Sequence, residues 1–348
     1  MIGEDFFFNA SAPYFPSKKS LSLINKTKDY LYSIFQLDKS EFDLFFHSGT
    51  TEATNLILKG YGLSKENQNK SIFFSKLDHP CALAQFEFLT EQGHSCDWLE
   101  EDQKTGHIKE IPAKANLCHF TWVNNESGMI NDLSLLNQAS SDCLIYIDGT
   151  QAIGKIESQF ELNPRGDVYS FSAHKFGGMK GVGWSFVKKE LPILRLMEGG
   201  GQFSFRSGTL NTLGIYSIYL ALKEVEQNQM RIEQCRNTRN FVAKMLLENF
   251  SSMSILNINE KRNCNTILMA HEKVNSYILV TSLDLAGFQV SSGSACSSGS
   301  NKGNDWVNKV YGEGLGKKTI RLSLNPGIHF ENKELLFSKL AEVFKRFD

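Results

Sequence analysis

The chain has 348 residues, enough to bury a large core as one long domain or two. Its 37 Lys and Arg against 38 Asp and Glu give a net charge of −1, so nothing electrostatic draws it to nucleic acid or an anionic membrane. No apolar run approaches the roughly 20 residues of a membrane span, and the acidic start MIGEDFFFNA does not suit a signal peptide. Seven cysteines without Cys-x-x-Cys spacing read as reduced thiols in a cytoplasm.

In chain order, residues 1–13 look extended. Apolar positions from Leu21 to Phe35 predict a helix over 18–36. A short strand, Asp43–His47, runs into SGTTEATN (48–55), where Thr50 and Thr51 are expected to cap a helix through Lys59. A helix start rich in hydroxyls is a ready phosphate site, although most such caps hold nothing. A strand at Ser71–Phe74 leads to Asp78-His79-Pro80 and a helix over 81–92, with His79 at its mouth. An imidazole there can stack on an aromatic ring and move protons near neutral pH, or simply cap the helix.

The strand Asn116–Val123 ends in NNESG (124–128), whose amides can reach a ligand or form a plain turn. After a helix over 133–139, the apolar run 143–147 predicts a buried strand of a parallel sheet, terminated by Asp148 with Gln151 just beyond. Ligands of such sheets gather at the carboxyl ends of the strands. The strand Asp167–Phe171 opens into FSAHKFGG (171–178), followed by Gly181, Gly183 and a strand at Trp184–Val187. Lys175 sits in a polar, glycine-rich turn and can project into a cleft as a Schiff-base amine, with Ser172 and His174 beside it as phosphate donors.

GGGQFSFRSGTLN (199–211) is a further hydroxyl-rich segment. Helices are predicted over 216–227 and 230–248, then a strand at 265–270, a helix at 277–287 and a strand at Phe288–Ser291. SSGSACSSGSNKGND (291–305) holds little to bury and is expected to be a mobile loop around Cys296. A helix near 306–311, a strand at 319–324 carrying Arg321 and a helix over 332–347 complete the chain.

Together, SGTTEATN, DHP, VNNESG, IDGTQAIGK, FSAHKFGG, RSGTLN, SSGSAC and IRLSLNP resemble the cysteine desulfurases, in the class V aminotransferase branch of the fold type I enzymes that use pyridoxal 5′-phosphate (PLP). The motifs keep the family's order from residue 48 to 326. The resemblance implies an α/β fold: a large domain, 14–230, with a mainly parallel seven-stranded sheet flanked by helices, and a smaller α+β domain, 1–13 with 231–348, carrying the cysteine loop. It implies that Lys175 forms the Schiff base, that Asp148 faces the pyridine nitrogen and Gln151 the phenolic oxygen, and that His79 stacks on the ring and moves the substrate thiol proton. Thr51, Ser172 and His174 would bind the phosphate, with Thr50 nearby and Thr209 reaching the phosphate of a second subunit in a homodimer. Asn125 and Arg321 would hold the carboxylate of L-cysteine. Cys296 would take its sulfur as a persulfide for an acceptor protein, leaving L-alanine. No metal is expected.

The chain differs from the family pattern at FFFNASAP, which lacks an acid and paired threonines, and at Phe203-Ser204, where a Glu-Arg pair is usual. It also stops 27 residues after Arg321, short of the tail that longer relatives use to dock a scaffold protein. An aminotransferase or lyase of the same fold, which would need no cysteine at 296, and a sulfur-relay protein without turnover are the alternatives. The sequence leaves the sulfur acceptor open, and selenocysteine as a second substrate.

Overall fold

A computed structural model describes residues 8–199, 205–293, 303–326 and 332–348. After helix α1 (Ser17–Ile34), seven strands form one sheet: β1 (Phe42–His47), β2 (Ser71–Phe74), β3 (Ser95–Trp98), β4 (Leu117–Thr121), β5 (Leu144–Asp148), β6 (Val168–Ser172) and β7 (Gly183–Lys188). Their spatial order is β1-β7-β6-β5-β4-β2-β3. Strands β6, β5, β4, β2 and β3 run parallel, and β7 is antiparallel to both neighbours. This is the mainly parallel seven-stranded sheet expected of the fold.

The sheet is buried on both faces because its strands alternate two apolar sets. Phe42, Leu44, Phe46, Ile145, Ile147, Tyr169 and Phe171 share one cluster with α1 and with α4 (Thr212–Gln227). Phe45, Ile72, Phe74, Leu144, Tyr146 and Val168 share the other with α2 (Thr50–Leu63) and α3 (Pro80–Glu91). The continuous apolar run of β5 is thus split residue by residue between two helical layers.

A second sheet follows the long helix α5 (Met230–Asn249). Its strands β8 (Met253–Ile255), β9 (Thr266–His271) and β10 (Thr319–Ser323) are antiparallel, in the order β10-β9-β8. Helices α5, α6 (Ser276–Leu285) and α8 (Lys333–Phe344) cover it around a separate apolar core that includes Val242, Ile267, Leu279, Ile320 and Phe344. A small cluster, with Leu77, Met129, Leu268 and Trp306, joins residues of the two halves; Trp306 belongs to α7 (Asp305–Tyr311).

Three local expectations are corrected. Residues 288–291 do not form a strand. The Phe288 amide closes the C-terminus of α6 on the Leu283 carbonyl at 2.8 Å, and only Ser291 pairs, in a single bridge with Arg321. The segment Leu133–Gln138 is a 3-10 turn started by the Asp132 carboxylate, not an α-helix. Gly49, rather than Thr50 or Thr51, takes the N-cap position of α2. Strands β3 and β8 lay outside the sequence expectation, since each is short and alternates exposed with more buried residues.

Candidate active site

Parallel strands deliver their carboxyl ends to one edge, and the loops leaving that edge line a cavity of about 430 Å³. Strand β1 supplies Ser48 to Thr51, β2 leads to His79, β4 to Asn125 and Glu126, β5 to Asp148 and Gln151, and β6 to Ser172, His174 and Lys175. Arg321 enters from β10 of the second sheet. Of the residues expected to form a site, all of these line the cavity. Thr209 does not; it is exposed on the RSGTLN stretch. Cys296 lies outside the described residues.

The start of α2 meets the end of β6. The Thr50 amide donates to Ser172 Oγ at 2.9 Å, and the Thr50 hydroxyl lies 2.9 Å from the same oxygen. The Thr150 hydroxyl donates to Thr50 Oγ1 at 2.7 Å. Three hydroxyls are therefore gathered at the amino end of a 14-residue helix, where the backbone dipole favours an anion. Glu52 braces this cup: it accepts from the Ser48 amide at 2.8 Å and from Arg206 Nε at 2.5 Å, which ties down the start of the RSGTLN stretch.

Asp148 is the last residue of β5, in register with Thr121 and Ser170. Its carboxylate is buried. Oδ1 accepts from the Thr150 amide at 2.9 Å, while Oδ2 has no hydrogen-bond partner among the described residues. A carboxylate oxygen that opens on a cavity can accept from a donor on a bound group. Lys175 follows β6 directly, in the 3-10 turn Ala173–Lys175. Its ammonium is held below the ordinary lysine range, first by burial among the cleft walls and then by the positive charge of Arg321, against the pull of Asp148 and Glu126.

His79 does cap α3, since its Nδ1 accepts from the Cys81 amide at 3.2 Å. Capping and cavity lining are compatible, because the ring stands at the helix mouth. Burial lowers its basicity despite nearby Asp148, which favours the neutral imidazole. Gln151 receives a hydrogen bond from the buried Lys155 ammonium through Oε1, which turns its amide nitrogen away from that lysine. Arg321 Nη1 donates to the Asn125 carbonyl at 2.7 Å and pairs with Glu126 at 2.9 Å.

Four lining or bracing residues escaped the sequence reading. Thr150 lay between two residues that were singled out. Glu126 sat inside NNESG as one more turn residue. Lys155 ended the IDGTQAIGK motif without a role. Cys81 was counted among the ordinary cysteines, yet it lines the cavity, and burial pushes its thiol up to about 12.

The family described as aminotransferase class-V matches residues 11–335. The cysteine desulfurase IscS of Buchnera aphidicola subsp. Acyrthosiphon pisum (strain 5A) is 30% identical over 88% of this chain and 77% of its own. The chain belongs to the cysteine desulfurase branch of the class-V aminotransferases. Another member, the cysteine desulfurase IscS of Clostridium botulinum (strain Hall), is 28% identical and covers 98% of this chain and 87% of its own. In three dimensions the desulfurase fold is matched by a solved NifS-like protein, with a TM-score of 0.86 at 23% identity, covering 98% of this chain and 92% of that one.

Proposed function

We propose that this chain is a PLP-dependent cysteine desulfurase, converting L-cysteine to L-alanine and holding the sulfur as a persulfide on Cys296. The observation that carries the reading is the convergence of Lys175, Asp148 and Arg321 on one cavity beside a hydroxyl-lined helix start. This donor set fits the cofactor. Asp148 has a free carboxylate oxygen for a protonated ring nitrogen, the Thr50–Thr51–Ser172–His174 group suits a phosphate, and the amide nitrogen of Gln151 suits an anionic phenolic oxygen. When bound, PLP supplies an electron sink that stabilises negative charge at the substrate Cα.

The residues then divide the remaining work. Arg321 and Asn125 orient the carboxylate, a task for a planar fork of donors. Lys175, less readily protonated than an ordinary lysine, removes the Cα proton. His79, made less basic by burial, accepts the thiol proton on Nδ1 once it releases the long bond from the Cys81 amide. The Cys296 thiolate attacks the substrate sulfur. An S–S bond forms as the Cβ–S bond breaks, the bonding pair stays with carbon, and a proton completes alanine. Cysteine and a protein thiol thus become alanine and a protein persulfide, with no outside oxidant.

The same reading includes a homodimer in which Thr209 reaches the partner's phosphate, supported by its exposure away from the cavity of its own chain. It includes a large unit, 14–230, and a small one, 1–13 with 231–348, supported by apolar cores that separate near residue 230. A cytoplasmic location is supported by the free thiols of the six described cysteines, and a protein that accepts the sulfur completes the scheme.

Cys296→Ser tests the reading. The variant should bind PLP and cysteine with the wild-type spectral change, yet form less than about 1% of the alanine and no persulfide, because a serine hydroxyl is too weakly acidic to replace a thiolate. Brief exposure of wild type to cysteine should add one sulfur to the peptide containing Cys296. Alanine and sulfide released at the wild-type rate by the variant would transfer the chain to the aminotransferase or lyase reading.

A further inference from the structure

Arg321 is held from one side only. Nη1 makes both of its contacts, to Glu126 Oε2 at 2.9 Å and to the Asn125 carbonyl at 2.7 Å. The Nε–Nη2 edge has no hydrogen-bond partner among the described residues. Glu126 is itself fixed at both oxygens. Oε1 accepts from Asn125 Nδ2 at 3.0 Å, and Oε2 accepts from Asn304 Nδ2 at 3.0 Å and forms the ion pair with Arg321. Its amide is tied to Asn124 Oδ1 at 2.9 Å. The carboxylate is buried, so its orientation is set by these bonds rather than by water.

Asn304 is no free side chain either. It is 1% exposed, and its Oδ1 caps α7 by accepting from the Val307 amide at 3.0 Å. The backbone just before it is closely packed: Gly303 has φ +75°, and a side chain there would run into the backbone of Gly316 and Lys317. The amide thus has one face on the helix and one on Glu126.

We infer that Glu126 is a positioning residue for substrate: it fixes the Arg321 guanidinium by Nη1 so that the Nε–Nη2 edge faces the incoming carboxylate, and Asn304 holds Glu126 in that pose. The inference rests on the reading of Arg321 as the carboxylate site. Two effects of Glu126 oppose each other. Its charge repels an incoming carboxylate, but that charge is paired with Arg321 at 2.9 Å and bonded to two amide donors, so most of its field at the substrate is cancelled. Its ion pair at 2.9 Å fixes the fork, and breaking such a buried pair costs roughly a hundredfold or more in an equilibrium. Positioning is the larger effect. It also explains why a negative group stands beside a site for a negative group.

Arg321 further connects the two flanks of the segment containing Cys296. On one flank Ser291 exchanges backbone hydrogen bonds with Arg321, at 3.1 and 2.6 Å; on the other Asn304 reaches Arg321 through Glu126. The residue that would read the carboxylate is therefore bonded to the described chain on either side of the sulfur-accepting cysteine.

The experiment compares L-alanine with ethylamine, the same amine without the carboxylate, by spectral titration of the PLP-loaded protein. The ratio of their affinities is the carboxylate preference. Glu126→Ala should lower it at least tenfold. Glu126→Gln, which keeps an acceptor for Nη1 and loses the repulsion, should stay within about threefold of wild type. Asn304→Ser, which keeps a helix cap and loses the donor to Glu126, should lower it about three- to tenfold. A general defect, or the loss of the Glu126 charge near Lys175, would change both affinities alike and leave the ratio unmoved. If Arg321→Ala abolishes the preference while Glu126→Ala leaves it at or above the wild-type value, the positioning role is overturned and the carboxylate site stands. If Arg321→Ala keeps the preference, the carboxylate site itself falls, and the inference with it. Should Glu126→Ala fail to fold, Asn304→Ser decides: an unchanged preference in that variant overturns the inference.

Discussion

Lys155 carries an unusual charge economy for a residue with no direct place at the reaction. Burial, and secondarily the positive charge of Lys175, lower its pKa from 10.5 to about 7, while its ammonium still donates to Gln151. Between pH 7 and 10.5 the unfolded chain holds this proton and the folded chain has lost it. Stability of the cofactor-free protein should therefore rise with pH across that window, by up to about 1.4 kcal/mol per unit from this residue. Lys155→Met should flatten the rise, as measured by denaturant unfolding at several pH values. An identical pH slope in the variant would show that Lys155 titrates normally. This role was not legible in the sequence, because nothing in the letters GK says that the ammonium is enclosed. Asp148, Ser172 and Lys175 were legible, because the first two end short apolar strands and Lys175 lies in the turn that follows one, where parallel sheets meet ligands. The pairing of Glu126 with Arg321 was not, since 195 residues separate them.

At the scale of elements, the turn holding Lys175 depends on how closely β6 and β7 approach. Gly183 opens β7 opposite Ser172, and a methyl group there would meet the Phe171 carbonyl oxygen and, at 2.7 Å, the His47 ring. Both neighbours are buried and cannot yield. Gly183→Ala should cost about 1–3 kcal/mol of stability and reduce PLP affinity, because the displaced strand carries the loop beside Lys175. A melting temperature and a cofactor titration equal to wild type would refute that coupling. Elements whose apolar period matched their layer were readable: α2, β2, β5 and β9 fall within a few residues of expectation. Residues 288–291 were misread because Phe288 and Val290 look like a strand by composition. Instead they pack their side chains on the second core, while the Phe288 amide ends a helix.

For the whole molecule, the order of the motifs gave the architecture. A homodimer was expected only from the resemblance, through Thr209. Light scattering should give twice the chain mass, and Thr209→Ala should weaken PLP retention severalfold without dissociating the pair, since one hydroxyl donor contributes about 1 kcal/mol. A monomer that retains PLP as wild type does would remove the shared phosphate site. Among the described residues no helix is long and apolar enough to cross a membrane.

The pairing of β1 with β7 has a consequence for how the protein is made. Phe42 lies opposite Lys188, and among the described residues β1 has no other neighbour in its sheet. A ribosome adding about 5–20 residues per second needs roughly 7–30 s to travel from one to the other. Throughout that interval Phe42-Asp43-Leu44-Phe45-Phe46 has emerged without its mate, a phenylalanine-rich ribbon able to stick to any neighbouring nascent chain. Yield in cells should accordingly depend on holding chaperones that shield this ribbon until translation passes residue 188, and slow codons between the two strands should lengthen the dangerous wait.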